Sequence, residues 1–305
     1  MRFIKIFYCS AVLWLLTSFK ATSQNQIPLS IKPTPDISIS LLGSSNKVSI
    51  RGLSVVNDNI FWASGSGGMV AKSTDGGKNI EWTQVPGFEK RDFRDIEAFD
   101  QNTAIIMAVD QPAIILKTTD GGKNWKKVFE DTTTGMFLDA MHFEKVNGKL
   151  VGMVVGDPIH NKIFYAKTFD GGESWIKPSK KELKNVPTVP DGEAMFASSG
   201  TNIAITNFSK DAPWLVVTGG TKSRLKDFLN HSFNDSLPLL QGFSSAGANS
   251  IAFNNKIQRV LLLVAILHMI PLAGSIVFYL LLKMAIEPTL PPLLTHTVIG
   301  HVLFI

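Results

Sequence analysis

One short motif occurs three times in this chain of 305 residues and constrains its fold more than any other feature. Each copy has Ser or Thr two residues before an Asp that begins an Asp-Gly-Gly turn, and each continues to a Trp. The copies comprise Asp75, Gly77 and Trp82, then Asp120, Gly122 and Trp125, then Asp170, Gly172 and Trp175. The aspartates lie 45 and 50 residues apart. In a strand-rich chain, a repeat near this period predicts a β-propeller.

The motif has a local physical logic. Asp-Gly after a strand-forming run indicates a tight turn, and glycine adopts positive φ without steric cost. The Asp carboxylate is placed to accept hydrogen bonds from backbone N–H groups just downstream. We therefore expect the three aspartates to be structural rather than catalytic.

Short runs rich in Val, Ile and Phe, separated by turn residues, predict an all-β fold of four-stranded blades. We expect four recognisable blades and a fifth that is broken off, within residues 48–255. The predicted segments are 48–85, 93–129 and 137–176 for blades one to three, strands 195–199, 202–207 and 214–218 with a Gly219-Gly220 turn for blade four, and 250–253 for the start of blade five.

The first residues are typical of an exported protein. Residues 1–23 have a basic start at Arg2 and Lys5, a short apolar core and small residues before Gln24, which predicts a secretory signal. The only cysteine, Cys9, lies inside this signal, so the mature chain has no disulfide. A Pro- and Ser-rich segment, 24–47, leads into the blades. We expect a location in the periplasm, on the cell surface or outside the cell.

The composition changes abruptly in the tail, residues 256–305. Val260 to Leu282 carries no formal charge and has the length of a membrane-spanning helix, which predicts an apolar, helical tail and a membrane contact through 260–282. The alternative is a segment foreign to the repeat, such as out-of-frame translation after Asn255. The change cuts through the middle of a blade, which favours the alternative.

The charge distribution argues against a nucleic-acid partner. The formal net charge is +5, and the signal accounts for three of these charges. A small cluster of Lys177, Lys180, Lys181 and Lys184 is explained by a solvated loop. Neither a dinucleotide-binding glycine pattern nor metal-ligand spacing of histidines occurs, so we expect no cofactor and no metal.

Propellers bind ligands at the central channel, which is lined by the first strand of each blade and by the loops that enter it. This placement predicts a set of ligand-binding residues for a sugar or an anionic peptide: Arg91, Arg94, Asp95, Glu97, Asp139, Asp157 and Glu193. His142 belongs to the same strands. One alternative is that these side chains satisfy buried backbone groups. Another is glycoside hydrolysis by Glu97, Asp139 or Glu193, because paired carboxylates about 5 Å or about 6.5–9.5 Å apart perform that reaction.

The repeated motif resembles the Asp-box, also called the BNR repeat, of sialidases and non-enzymatic propellers. Four further segments, 91–98, 135–141, 156–158 and 192–202, are similar to exported propellers of Bacteroidetes-type bacteria in the photosystem II stability and assembly factor family. The resemblance covers about 50–253. It implies a non-catalytic scaffold with a protein or glycan partner at the cell envelope, and it places the box on the outer hairpin of each blade.

Overall fold

The computed structural model describes residues 41–43, 47–186, 188–197, 200–205, 214–228, 232–233, 237, 241–244, 246–254, 259–266, 277–284 and 298–303. The chain divides into two compact units, Met1–Leu41 and Leu42–Ile305, and all strands of the described residues belong to the second. The predicted signal and most of the segment 24–47 lie outside the described residues.

Blades one and two are four-stranded antiparallel sheets in which each strand pairs with the next in the sequence. Both sheets confirm the sequence prediction. The prediction succeeded here because the segments between their strands contain residues typical of turns. Their strands are β1 (Ile50–Val55), β2 (Phe61–Gly65), β3 (Met69–Ser73) and β4 (Glu81–Gln84), then β5 (Phe93–Ala98), β6 (Ala104–Ala108), β7 (Ala113–Thr118) and β8 (Lys126–Asp131).

Blade three has three full strands, β9 (Leu138–Val146), β10 (Lys149–Ile159) and β11 (Lys162–Thr168). The fourth strand predicted at Trp175 is reduced to a single bridge between Ile176 and Lys167. The chain then enters a short helix, α1 (Lys180–Asn185). Ser179 and Glu182 form a capping box at its start, which satisfies two backbone N–H groups.

Blade four differs from the prediction by one strand. Residues 195–197 belong to no strand, and the first strand of the blade is instead β13 (Ile203–Ile205). The predicted Gly219-Gly220 turn is wrong: these glycines form β15, which pairs with β12 (Glu193–Ala194) in a separate two-stranded sheet. The blade's other strands are β14 (Trp214–Val217), β16 (Leu225–Asp227) and β17 (Ser232–Phe233), in the order β13-β14-β16-β17.

The fifth sheet corrects the prediction for the tail. Strand β18 (Ala248–Asn254) pairs with β19 (Arg259–Ile266), which is followed by β20 (Val277–Met284) and β21 (Val298–Leu303) in one four-stranded antiparallel sheet. The helix expected over 260–282 is therefore wrong where the chain is described, and the fifth blade does not break off. An apolar run without periodicity does not distinguish a helix from a buried strand. No helix in the described part of the chain is long and apolar enough to cross a membrane.

The five sheets follow one another around an axis. The first strands are neighbours in succession: β1 contacts β5, β5 contacts β9, β9 contacts β13, and β13 contacts β18. Between successive sheets lie four apolar cores, to which both faces of a blade contribute. Strand β6 shows this, because Ile106 packs towards blade one and Ile105 towards blade three. Burial on both faces explains the nearly continuous apolar sequence of the inner strands.

Candidate functional site

The three repeated turns have the same geometry. In the second copy, the Thr118 hydroxyl donates to Asp120 Oδ1 at 2.9 Å and accepts from the Gly122 N–H at 3.0 Å. Asp120 also accepts from the backbone N–H and the side-chain amide of Asn124 at 2.9 and 2.7 Å. Ser73 with Asp75, and Thr168 with Asp170, make the corresponding bonds. In blades one and two these turns join the third strand to the fourth. In blade three the turn leads from the third strand to the bridge at Ile176.

The aspartates of these turns are strong acceptors. Hydrogen bonds from Asn124 lower the pKa of Asp120 to about 2. The pKa of Asp170 is also lowered to about 2, because bonds from Ser174 and Thr168 outweigh a burial effect that raises it. Such carboxylates stay ionised and occupied by turn hydrogen bonds, as a structural role requires.

A lysine immediately before each motif was missed as a functional element. The Lys72 ammonium in blade one donates to the Gly121 carbonyl of blade two at 2.9 Å. The Lys117 ammonium in blade two donates to the Gly171 carbonyl of blade three at 2.8 Å. The sequence of blade four contains no Asp-Gly-Gly motif, and Lys167 lies over the Trp214 ring, 5.3 Å from its centroid. The turns of blades two and three are therefore each tied to the preceding blade.

A cavity of about 320 Å³ lies where the first strands of all five sheets meet. This is the central channel that the repeat predicts. Among its lining residues are Leu53 from β1, Asp95 and Glu97 from β5, His142 and Glu144 from β9, Ile203 and Ile205 from β13, and Ile251 and Ala252 from β18. Thr201, just before β13, also lines it.

The charged lining of the channel is mainly acidic. Glu97 Oε1 lies 3.3 Å from His142 Nδ1. Asp95 accepts backbone N–H bonds from Ile96 and Met141 at 2.8 and 2.7 Å, and burial together with the charge of Glu97 raises its pKa well above the usual range. Glu144 adds a third carboxyl group, and none of the described residues that line the cavity is Lys or Arg.

The two arginines of the predicted site lie elsewhere. Arg91 donates to the carbonyls of Val109 and Pro112 at 2.7 and 2.6 Å, so its guanidinium braces the connection from β6 to β7. Arg94 donates to Asp92 at 3.2 Å and lies over the ring of Phe137. Neither lines the cavity around Glu97.

Asp139 and Asp157 form an acidic pair in blade three, outside the channel lining. Asp139 is buried, and burial followed by the charge of Asp157 raises its pKa well above the usual range, against a lowering by Arg94. Its Oδ2 has no hydrogen-bond partner. Burial also raises the pKa of the half-buried Asp157.

Glu193 is enclosed in a buried ionic cluster. Its carboxylate accepts from Arg224 Nε and Nη2 at 3.0 and 2.6 Å and from the Thr218 hydroxyl at 2.7 Å. Lys226 Nζ lies 3.5 Å from it, and burial lowers the pKa of Lys226 to about 7. Glu193 was expected in a loop that enters the channel, because blade four was predicted to begin with a strand at 195–199.

Sequence reasoning found Glu97, Asp95 and His142 in the channel but missed Glu144 and Thr201. A signal for Glu144 existed, since side chains two apart on a strand share a face and His142 was already placed there. Nothing local indicated Thr201, which precedes the strand that the prediction misplaced. No group of three or more His, Cys, Asp or Glu side chains is placed to hold a metal ion in the part of the chain that the structure covers.

The fold and its turns define an Asp-box β-propeller with an acid-lined channel. Residues 53–136, which span blades one and two, match the family model for the photosynthesis system II assembly factor YCF48. The predicted resemblance to that family is confirmed over this segment. A comparison with curated proteins finds no match.

Three solved structures illustrate the similarity to known chains. YCF48 bound to D1 peptide is 15% identical, with coverage of 83% of each chain and a TM-score of 0.49. A protein of unknown function from Dyadobacter fermentans is 14% identical, with coverage of 70% of this chain and 71% of that one and a TM-score of 0.45. An ancestral GH74 enzyme is 14% identical, with coverage of 76% of this chain and 31% of that one and a TM-score of 0.49.

Proposed function

We propose that this protein is an exported, non-catalytic binding propeller of the cell envelope, and that its channel binds a protein segment by accepting a basic side chain. The observation that carries the proposal is the lining of the cavity. Glu97 and Glu144 converge there from two blades beside the buried Asp95, and no described Lys or Arg lines the cavity with them.

The acidic lining of the channel favours a ligand of positive charge. The sequence predicted a sugar or an anionic peptide from carboxylates and arginines that converge in the channel. Arg91 and Arg94 are both engaged elsewhere. A cavity with carboxylates on low-dielectric walls attracts cations and repels anions. We therefore propose Lys or Arg as the side chain that enters.

The size of the cavity favours a side chain over a long polymer. Its volume of about 320 Å³ is at the lower end of the range for ligand pockets, about 300–1,000 Å³. The match of residues 53–136 to a family described as an assembly factor supports a protein partner. Export rests on the predicted signal at 1–23.

No observation favours glycoside hydrolysis as a second function. Of the three carboxylates considered for it, only Glu97 lines the cavity. Glu193 is buried against Arg224, and Asp139 is buried beside Asp157. We therefore assign these two residues no part in the channel.

The test is a titration of methyl-labelled protein with blocked pentapeptides that carry one central Lys, Glu or Ser among glycines. We expect the Lys peptide to shift the methyl signals of Ile203, Ile205 and Ile251, and added salt to weaken the effect. Replacement of both Glu97 and Glu144 by Gln should lower its affinity about tenfold, the equivalent of about 1.4 kcal/mol.

The matched control replaces Glu81 and Glu130, carboxylates of outer strands, by Gln and should bind as the wild type does. Equal binding of the Glu and Lys peptides would contradict the proposal. A neutral chitooligosaccharide serves as the glycan probe. If it shifts the same methyl signals and the Lys peptide does not, the ligand of the channel is a glycan and the proposed protein partner is wrong.

A further inference from the structure

A second cleft, of about 310 Å³, lies on the side of the molecule between blades two and three. It opens where β8 ends and the β10–β11 hairpin turns, and α1 contributes Leu183 to one wall. It shares no lining residue with the central channel. The cleft is therefore a separate feature from the site described above.

The interior of the cleft is apolar. Met136 and Ile163 are almost fully buried, and Phe164, Ile159 and Pro178 complete the floor and walls. Phe164 is held against Phe129 of blade two, with ring centroids 6.3 Å apart. Leu183 is 36% exposed on a helix that has no buried residue. An apolar floor supported from beneath by packed rings is suited to a large apolar side chain.

The rim of the cleft is basic. His160, Lys162 and Lys177 line its edge, and α1 carries three exposed lysines beside Leu183: Lys180, Lys181 and Lys184. Two acidic side chains lie near this rim in the described residues. Asp131, at the end of β8, is buried and bonded to Lys177 at 3.1 Å. Glu182 is occupied by the capping box, accepting from the Ser179 N–H at 2.7 Å.

One rim lysine is committed to the structure. The Lys162 ammonium donates to the carbonyls of Leu183 and Val186 at 2.7 and 2.8 Å, so it fastens the end of α1 to the hairpin. This contact holds the helix at the edge of the cleft. Lys177 of the lysine cluster seen in the sequence lines the cleft, and Lys180, Lys181 and Lys184 are exposed on α1, the helix that contributes Leu183 to its wall.

We propose that this cleft binds an acidic segment of a partner protein, which inserts one large apolar side chain between blades two and three. The apolar floor accounts for the inserted side chain, and the basic rim complements acidic residues on either side of it. The site is independent of the channel and of the basic side chain proposed there.

The experiment uses a blocked pentapeptide, Phe flanked by two Glu on each side, and protein labelled at its Met methyl groups. We expect this peptide to shift the Met136 signal, and we expect its Ser-centred analogue and its Lys-flanked analogue to bind at least about tenfold more weakly. Leu183→Asp should reduce binding by a similar factor, because it places a carboxylate at the opening. Lys180→Gln with Lys184→Gln should weaken binding about threefold and reduce its dependence on salt.

Two matched controls distinguish this site from general effects. Phe243→Asp, at another exposed apolar residue, and the channel pair Glu97→Gln with Glu144→Gln should leave the binding unchanged. The unchanged signals of the remaining Met methyl groups establish that each variant is folded. The proposal is overturned if the acidic peptide leaves Met136 unshifted at millimolar concentration, if the Ser analogue binds equally, or if decanoate occupies the cleft and the peptide does not.

Discussion

At the scale of single residues, the pKa of aspartate shifts in opposite directions in different parts of the fold. Asp120 and Asp170 receive several hydrogen bonds on the surface of a turn, and their pKa values fall to about 2. Asp139 is buried next to another carboxyl group, and its pKa rises. The sequence predicted the first behaviour because the turn is local. It did not predict the second, because the burial of Asp139 depends on how blade three packs.

Asp139 gives a prediction for stability against pH. A carboxyl group whose pKa is raised in the folded protein stabilises it fully below the unfolded value near pH 3.8, and this contribution is lost as the pH rises through the raised value. Asp139→Asn removes the buried charge. We expect the variant to gain stability relative to wild type as the pH rises from 4 to 8, by about 1–3 kcal/mol at the upper end.

Urea unfolding at several pH values, followed by tryptophan fluorescence, measures this difference. Asp58→Asn, an exposed residue between β1 and β2, serves as the control and should leave the profile unchanged. A variant whose stability falls further below that of wild type as the pH increases would contradict the assignment for Asp139.

At the scale of elements, the Asp-box turns join blades as well as strands. Lys117 illustrates the point, because its ammonium donates to the Gly171 carbonyl and pairs with Glu173 at 2.7 Å while only 10% exposed. The hydrogen bond with Lys117 is also the main reason that the pKa of Glu173 is lowered. The turn of blade three is thus tied to the third strand of blade two.

Loss of this tie should be measurable. Lys117→Met keeps the length of the side chain but leaves the partly buried Gly171 carbonyl without its charged donor, so we expect a loss of about 1–3 kcal/mol in the free energy of unfolding. Lys126→Met is the matched control, since Lys126 also pairs with Glu173, at 3.4 Å, but is 71% exposed. The control should change stability by less than about 1 kcal/mol. Equal losses from the two variants would show that the surface ion pair, and not the bond between blades, matters.

Elements whose sequence signal is local were predicted, and an element that depends on its partner strand was not. Blades one and two were predicted because each hairpin carries its own turn signal. Gly219-Gly220 carries a similar signal, yet it forms a strand against Glu193 and Ala194. The reason is a close approach: a side chain at Gly220 would collide with the backbone of Gly192. Glycine permits such an approach and a turn equally well, and only the partner strand distinguishes them.

The tail shows a related ambiguity. Most residues of β19 and β20 are apolar, and the uncharged run from Val260 to Leu282 has the length of a spanning helix. In the structure they continue the fifth sheet through antiparallel pairing with β18 and with each other. Pairing over several residues is a tertiary property that apolar composition does not encode.

At the scale of the whole molecule, the repeat period predicted a β-propeller. A propeller fold in turn predicted that the first strands of the blades meet at a channel. The sequence placed Asp95 and Glu97 there correctly because both lie on the first strand of a well-predicted blade. It placed Arg91, Arg94 and Glu193 there as well, since it could not show which side chains are used by neighbouring carbonyls and carboxylates. The ligand that we propose for the channel therefore carries a basic side chain, in place of the sugar or anionic peptide that the sequence predicted.

The central claim is that the first strands of all five sheets surround one cavity, and a cross-link across that cavity tests it most directly. In a background with Cys9 replaced by Ser, the pair Leu53→Cys with Ala252→Cys places thiols on the first strands of blades one and five. A short bifunctional thiol reagent should join the two within one chain, as read by mass spectrometry, and should fail to join Leu53→Cys to Phe169→Cys on an outer turn. Modification of both channel thiols without an intramolecular cross-link would contradict the arrangement of the blades around a common channel.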